Sequence, residues 1–255
     1  MMRGAWVALV GLVAGCDLYY GAEEHPDAGT LVVDADHAGF KDAPPGSLPM
    51  FHYRFDDTLA NDGTLGPTFD GTGTSYGFVA GKHGRAVAFD TTQFTSVVLP
   101  TQVPMSSGGA FTIGLWFRED VVWNSGDYTQ YLFDNRGNGG FQTYHGYGGN
   151  QALTTCSGAG CRAFGYSVGT WHHLIYRHDG SAGAAPLEIF LDGVLVATLP
   201  ASTVYFADTQ KNITLGTRTN MQIDELKVYA AAFDASKQCA LVTGGTWDND
   251  RCALP

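Results

Sequence analysis

The segment Trp171–Pro200 constrains the fold more than any other part of the chain. Apolar and polar residues alternate over Trp171–His178, which predicts a β-strand because successive side chains point to opposite faces. Two further apolar runs, Leu187–Leu191 and Val194–Leu199, flank Asp192-Gly193, and Asp-Gly between apolar runs is the strongest short hairpin signal. The centre of the protein is therefore predicted to be antiparallel β-sheet.

Short strands are predicted along the rest of the chain as well. The 255 residues include 34 glycines and show no long helical period, which favours a sandwich or barrel. The net charge of −11 argues against nucleic-acid binding, which needs clustered Lys and Arg. The other predicted strands are 51–55, 85–90, 95–99, 111–118, 131–134, 141–144, 152–155, 162–166, 213–216 and 222–229.

Three segments carry a resemblance to laminin G-like, or concanavalin A-like, domains of extracellular and bacterial surface proteins. They are WHH…DG…DG within 171–193, FTIGLWFR at 111–118 and IDELKVYAAAF at 223–233. The resemblance covers residues 50–244 and implies an all-β antiparallel β-sandwich jelly roll with one short C-terminal helix. Asp234 is expected to cap that helix through its carboxylate.

The N-terminus is predicted to be a lipoprotein signal peptide. Residues 1–15 contain Arg3 and an apolar run that is too short to span a membrane. The run ends in LVAGC, which resembles a bacterial lipobox and implies cleavage before Cys16 and lipid attachment to its sulfur. An ordinary secretory signal is the alternative. The predicted location is the bacterial cell envelope, with a membrane anchor at Cys16 and a flexible acidic tether over 16–49.

Four cysteines remain after Cys16, namely Cys156, Cys161, Cys239 and Cys252. An even number in an exported protein predicts two disulfides, for which three pairings are possible. Pairing of sequence neighbours is the simplest, and it would tie down the tail 245–255. Zinc is disfavoured because these spacings come without a matching pair of histidines.

A structural Ca²⁺ site is a second implication of the resemblance. Laminin G-like domains often hold Ca²⁺ between the acidic loop after the first strand and the last strand, and calcium prefers oxygen ligands. The matching positions in this chain are Asp56, Asn61, Asp62 and Asp224. The alternative is that Asn61-Asp62-Gly63 is only a turn and Asp224 only a buried acid whose hydrogen bonds are satisfied.

A ligand-binding region is predicted between residues 134 and 150, which read DNRGNGGFQTYHGYGGN. Aromatic rings can stack on sugars, and polar groups on glycine-rich loops can converge on their hydroxyls. The alternative is a pair of hairpins with half-buried aromatic residues. The candidate residues are Asp134, Asn135, Arg136, Tyr144, His145 and Tyr147, with Trp116 and Tyr166 as neighbours.

Catalytic patterns are weak in this sequence. The G-x-S-x-G pattern at 165–169 needs a strand, a turn and a helix, whereas strands are predicted on both sides, so we interpret it as a coincidence. His172 and His173 are predicted to point to opposite faces, with His173 packed and His172 exposed. The E-x-D-x-x-E motif of laminarinase-like hydrolases is absent. The sequence thus favours a non-catalytic module that binds carbohydrate or a surface protein; a polysaccharide hydrolase or lyase and a structural envelope protein are the alternatives.

Overall fold

The computed structural model describes residues 48–89, 96–100, 109–121, 129–136, 140–145, 152–158, 160–180, 185–200, 212–248 and 251–255. The chain forms seventeen described strands. They are β1 (Phe51–Tyr53), β2 (Thr72–Thr74), β3 (Gly77–Ala80), β4 (Arg85–Ala88), β5 (Ser96–Leu99), β6 (Phe111–Glu119), β7 (Tyr131–Asp134), β8 (Phe141–His145), β9 (Ala152–Ser157), β10 (Gly160–Gly165), β11 (His172–His178), β12 (Leu187–Leu191), β13 (Val194–Leu199), β14 (Ile213–Thr217), β15 (Met221–Tyr229), β16 (Thr246–Asp248) and β17 (Arg251–Ala253).

These strands build two large antiparallel sheets. One has eight strands in the order β13-β12-β11-β6-β15-β4-β3, with β1 also paired to β15. The other has seven strands in the order β10-β9-β8-β7-β14-β5-β2, and β16 and β17 form a separate hairpin. Strands distant in sequence are neighbours in both sheets, as in β11-β6-β15, so the structure is the antiparallel jelly-roll sandwich that the resemblance implies.

The core lies between the two sheets and is rich in aromatic rings. Phe133 and Phe141 stack with their ring centroids 5.0 Å apart, and Tyr176 lies 4.8 Å from Phe141. The Tyr176 hydroxyl donates to Thr143 Oγ1 at 2.6 Å, so this buried polar group is satisfied. Alternation along β8 buries Phe141, Thr143 and His145, which leaves the residues between them on the outer face of the sheet.

Helical structure follows the last strand of the sandwich. Asp234 Oδ1 accepts the Lys237 main-chain N–H at 2.9 Å, which confirms the predicted cap. The helix α1 spans only Ala235–Lys237, and a wider π-helical turn continues over Gln238–Thr243. None of the helices in the described part of the chain is long and apolar enough to cross a membrane.

Two disulfides join the cysteines that are neighbours in sequence. Cys156–Cys161 links β9 to β10, in which the two residues are direct register partners. Cys239–Cys252 links the π-helical turn to β17. Because all four sulfurs are bonded in pairs, these cysteines do not provide zinc ligands. Cys16 and its predicted lipid lie outside the described residues.

The two adjacent histidines of β11 are both buried. His173 is 0 % exposed and His172 is 8 % exposed, so the prediction of an exposed His172 is wrong. The alternation itself holds, but the end of β11 is covered by the turn at residues 166–170, which contacts the His172 ring. Sequence alternation therefore identified the two faces but not the loop that covers one of them.

Candidate functional site

The outward face of the seven-stranded sheet presents two rows of side chains across five strands, here called the platform. Its side chains alternate with core residues such as Phe133 and Phe141 and therefore point away from the core. With strands about 4.8 Å apart, the platform is about 19 Å wide. The first row is Thr214, Asp134, Gln142, Cys156 and Cys161, and the second is Thr217, Tyr131, Tyr144, Thr154 and Ala163.

Tyr131 and Tyr144 form the aromatic part of the platform. Their ring centroids lie 5.6 Å apart with a tilt of 45°. The Arg136 guanidinium lies 4.7 Å from the centroid of the Tyr131 ring, a cation–π distance. Both tyrosines are partly exposed, so their rings are accessible from solvent. The cluster offers an apolar surface with polar groups at its border, as ligand sites commonly do.

Asp134 and Arg136 form a bidentate ion pair beside these rings. Arg136 Nε lies 3.0 Å from both carboxylate oxygens of Asp134, and its Nη2 lies 2.7 Å from Oδ2. The Arg136 main-chain N–H also donates to Asp134 Oδ1 at 2.8 Å. The hydrogen bond with Asp134 raises the pKa of Arg136, so the guanidinium is charged and its charge is matched by the adjacent carboxylate.

Three of the predicted ligand-binding residues lie at the platform, namely Asp134, Arg136 and Tyr144. Asn135 is 4 % exposed, and its Oδ1 accepts the Phe141 main-chain N–H at 2.8 Å. His145 is 1 % exposed because it lies on the core-facing side of β8. These two side chains hold the structure together and do not face a ligand at the platform. Tyr147 lies outside the described residues.

Other platform residues were missed by the sequence interpretation. Tyr131, Gln142 and Thr154 reach the platform through cross-strand register, which the sequence of one strand does not reveal. The two proposed neighbours lie elsewhere. Trp116 is on the eight-stranded sheet, and Tyr166 is buried between the sheets.

Asp56 and Asp224 are both hydrogen-bonded to the segment 81–85, at a second location. The Arg85 main-chain N–H donates to Asp56 Oδ1 at 2.7 Å, and the His83 main-chain N–H donates to Asp224 Oδ2 at 2.9 Å. The acidic loop after β1 and the last long strand, β15, are therefore both joined to this segment. The resemblance implies a calcium site between that loop and that strand.

Two glycines permit these contacts. A Cβ atom on Gly81 would lie 2.6 Å from Asp224 Oδ2, and one on Gly84 would lie 2.2 Å from Asp56 Oδ1. Gly84 also has a φ of +56°, which favours glycine. The sequence interpretation did not include this loop, because it contains no carboxylate of its own.

Asp224 has a free oxygen suited to a cation. The residue is fully buried, and its Oδ1 has no hydrogen-bond partner within the described residues. Burial raises the pKa of Asp224 to about 8. The backbone nearby is strained, with φ values of 62° at Phe55, 58° at Asp57 and 49° at Glu225. A bound cation would satisfy the oxygen and help to hold this backbone.

The other two predicted calcium ligands have different partners. Asn61 Oδ1 accepts the main-chain N–H groups of His52 at 2.9 Å and Gly63 at 3.0 Å, so both of its lone pairs are used. Asp62 lies 3.2 Å from Arg54 in an exposed ion pair. Across the described ranges, no group of three or more His, Cys, Asp or Glu residues is arranged to hold a metal ion. Asp56 and Asp224 thus fit a cation better than Asn61 and Asp62 do.

The G-x-S-x-G segment belongs to a hydrogen-bonded chain that the sequence did not predict. Ser167 Oγ lies 3.0 Å from His172 Nε2, and His172 Nδ1 lies 2.7 Å from Asp192 Oδ2. Asp192 Oδ1 accepts the His173 main-chain N–H at 2.8 Å. The residue types and order of contacts are those of a serine-hydrolase triad.

The local fold argues against that chemistry, because the segment joins β10 to β11 and no helix follows Ser167. His172 Nε2 lies 2.8 Å from the Ser167 carbonyl oxygen, 3.0 Å from Thr170 Oγ1 and 3.3 Å from the Ser167 main-chain nitrogen. The hydrogen bond with Asp192 raises the pKa of His172. The chain of contacts therefore clamps the turn 166–170 to the β12–β13 hairpin.

A buried polar cluster connects the two sheets near the same turn. The Tyr166 hydroxyl donates to Glu119 Oε2 and lies 3.1 Å from His145 Nε2. His145 Nε2 lies 3.2 Å from Glu119 Oε1, and both side chains are fully buried. Glu119 comes from β6 and His145 from β8, so the cluster joins opposite layers of the sandwich.

The sequence family agrees with this architecture. Residues 90–237 match the concanavalin A-like lectin/glucanases superfamily, and this match covers more than half of the chain. The protein therefore belongs to this superfamily, and the laminin G-like resemblance is confirmed. No curated protein matches the sequence.

Solved structures with the same fold include several binding domains. Domain 4 of AbnA, a GH43 extracellular arabinanase from Geobacillus stearothermophilus solved with arabinotriose, is 22% identical with a TM-score of 0.58, over 76% of this chain and 98% of that one. The binding domain of Paraclostridial Mosquitocidal Protein 1 is 14% identical with a TM-score of 0.61, over 78% and 52%. Botulinum neurotoxin type C, whose cell entry depends on two ganglioside molecules, is 13% identical with a TM-score of 0.56, over 75% and 50%. The present chain spans about half the length of the two toxin chains.

Proposed function

We propose that this protein is a non-catalytic carbohydrate-binding module whose ligand lies on the platform. The observation that carries the proposal is the accessible cluster of Tyr131, Tyr144 and Arg136, bordered by the Asp134 carboxylate. The likeness to an arabinanase domain solved with arabinotriose, and to a toxin that interacts with gangliosides, supports carbohydrate as the ligand class.

The chemistry of the platform suits sugars. The tyrosine rings offer apolar faces for the C–H groups of a sugar ring, while their hydroxyls and the Asp134–Arg136 pair can hydrogen-bond its hydroxyl groups. The arrangement rests on β-strands and a disulfide, so little of the protein has to be ordered when the ligand binds.

The distribution of carboxylates supports binding without catalysis. Hydrolysis of a glycosidic bond usually needs two carboxyl groups that flank it. Asp134 supplies the only carboxylate in the platform rows, and it is paired with Arg136. The glutamates in the described part of the chain lie elsewhere and have other partners: Glu119 with Tyr166, Glu188 with Arg177, and Glu225 with His52.

We propose further that the module is held at the bacterial cell envelope by a lipid on Cys16, with residues 16–49 as the tether. The lipobox-like LVAGC sequence supports this anchor. Mass spectrometry of the N-terminal peptide from the native host should show a diacylglycerol-modified Cys16. An unmodified N-terminus in the membrane fraction would contradict the anchor.

The binding proposal is tested with the full-length protein in detergent on an oligosaccharide array that includes arabinotriose. Tyr144→Ala is expected to weaken binding to any captured oligosaccharide about tenfold, since loss of an aromatic contact costs about 1.4 kcal/mol. Tyr131→Ala should act in the same direction.

Tyr76→Ala is the matched control. Tyr76 is also a half-buried tyrosine in an aromatic pair, with Phe78 at 5.5 Å, but it lies outside the platform. If Tyr76→Ala and Tyr144→Ala weaken binding equally, the platform is not the site. If wild-type protein captures no oligosaccharide, a protein partner becomes the better candidate.

A further inference from the structure

The two rows of the platform carry one charged side chain, Asp134, and its charge is matched by Arg136. Asp134 and Arg136 are its one ion pair, with three contacts between their side chains of 3.0 Å or less. The remaining residues of the two rows are uncharged.

The guanidinium of Arg136 is held by two neighbours. Its Nε and Nη2 point at the Asp134 carboxylate, and its central carbon lies over the Tyr131 ring. A sugar carboxylate would have to compete with Asp134 for this cation and would meet the Asp134 charge at close range. Arg162 of β10 alternates with the platform residues Cys161 and Ala163, and its Nη1 donates to the Cys161 carbonyl oxygen.

The charge of the whole protein acts in the same direction. The net charge of −11 creates a field that disfavours anionic ligands, and at moderate ionic strength this field reaches about 8–10 Å from each charge. An uncharged sugar experiences no such penalty and can still stack on Tyr131 and Tyr144.

From these observations we infer that the platform selects uncharged oligosaccharides, and that the Asp134 carboxylate excludes chains carrying a uronic acid or sialic acid at the contact position. The inference rests on the proposed carbohydrate-binding function and deepens it. Asp134 is the specificity-determining residue, and Arg136 is a stacking and hydrogen-bonding group whose charge is already matched by Asp134.

The test compares matched pairs of ligands on the full-length protein by calorimetry: galactotriose with trigalacturonate, and lactose with sialyllactose. If the protein binds a member of either pair, the neutral ligand is expected to bind at least about fivefold more tightly than its acidic counterpart. Its affinity should change less than about twofold between 0.05 and 0.5 M salt, since no net charge is neutralised on binding.

Asp134→Asn provides the decisive variant. The amide retains an acceptor for the Arg136 main-chain N–H but leaves the guanidinium charge unmatched. The acidic ligand should therefore bind about fivefold more tightly than to wild type, and the preference for the neutral ligand should disappear. Arg136→Gln removes the cation and should keep or strengthen the rejection of acidic ligands. Asp120→Asn is the matched control, because Asp120 forms the same type of exposed pair with Arg118 at 2.6 Å on the other sheet.

The outcomes are distinct. Tighter binding of an acidic ligand by wild-type protein, or selectivity that Asp134→Asn leaves unchanged, would overturn the inference and leave carbohydrate binding intact. Absence of binding to neutral and acidic ligands alike would overturn the proposed function, and the inference with it.

Discussion

His172 Nδ1 and Asp192 Oδ2 lie 2.7 Å apart, although 20 residues separate them in the sequence. His172 begins β11, and Asp192 occupies the turn between β12 and β13. Asp192 also accepts the His173 main-chain N–H at 2.8 Å. The WHH and DG segments that carry the laminin G-like resemblance are therefore in direct contact, and this contact fixes the hairpin against its neighbouring strand.

Asp192→Asn is expected to lower the free energy of unfolding by about 1–3 kcal/mol at pH 6, because a buried ring nitrogen loses its charged partner. The hydrogen bond with Asp192 raises the pKa of His172 in the folded protein. Its stabilisation is therefore complete below the unfolded pKa of about 6.5 and is lost as the pH rises through the raised value. Urea unfolding at pH 6 and pH 9 measures this dependence. Between the two pH values, the free energy of unfolding should fall less in Asp192→Asn than in wild type.

At acidic pH the Asp192 carboxylate gives the opposite dependence, because its contribution to the free energy of unfolding falls as the pH falls. Burial would raise the pKa of Asp192, but the hydrogen bonds from His172 and the His173 main chain lower it overall. That contribution is present above pH about 4 and is lost on acidification through the lowered value. Asp120→Asn serves as control, since Asp120 pairs with an arginine and not with a histidine. Parallel pH profiles for wild type and Asp192→Asn would contradict the clamp.

The sequence predicted most of the fold because one face of each long strand is buried. Period-two alternation and Asp-Gly identify β11, β12 and β13 almost to the residue. The strands β2 and β3 were missed, since TGT and GFVA lie on exposed sheet edges and show no buried alternation. Burial supplies the pattern on which such predictions depend, and edge strands lack it.

The candidate sites were predicted less completely for a related reason. Tyr131 joins Tyr144 only through the register of β7 and β8, which contains an irregularity between Tyr131 and Phe133. That register also decides that His145 faces the core. The resemblance pointed to Asp56 and Asp224, but the glycine loop to which both are hydrogen-bonded contains no carboxylate and was not predicted.

Tyr166→Phe should destabilise the protein by about 1–3 kcal/mol, because it leaves the buried Glu119 carboxylate without its hydroxyl donor. Tyr176→Phe is the matched control. Its hydroxyl donates to Thr143, whose Oγ1 keeps a second contact with Thr155 at 2.8 Å, so the loss should be smaller, about 1 kcal/mol. Equal losses in urea unfolding would show that the Glu119 cluster adds no special stability.

Removal of the two disulfides should have unequal effects. Cys239 and Cys252 are 13 residues apart and Cys156 and Cys161 only 5, so the first closes the longer loop. From the entropy of loop closure in the unfolded chain, the free energy of unfolding should fall by about 3 kcal/mol in a Cys239→Ala/Cys252→Ala variant and by about 2 kcal/mol in Cys156→Ala/Cys161→Ala. Urea unfolding of both double variants tests the order, and a larger loss from the shorter loop would contradict it.

We propose finally that Ca²⁺ binds at Asp224 and Asp56, where the Asp224 Oδ1 atom has no other partner among the described residues. Calcium at about a hundred times its Kd should raise the Tm by about 5–10 °C, and chelator should reverse the change. Burial raises the pKa of Asp224 to about 8, so protons compete with calcium and the shift should be larger at pH 8.5 than at pH 6. Asp224→Asn should abolish the shift, whereas Asp62→Asn, which alters only an exposed pair with Arg54, should leave it unchanged. A Tm that responds to neither calcium nor chelator at pH 8.5 would rule the site out.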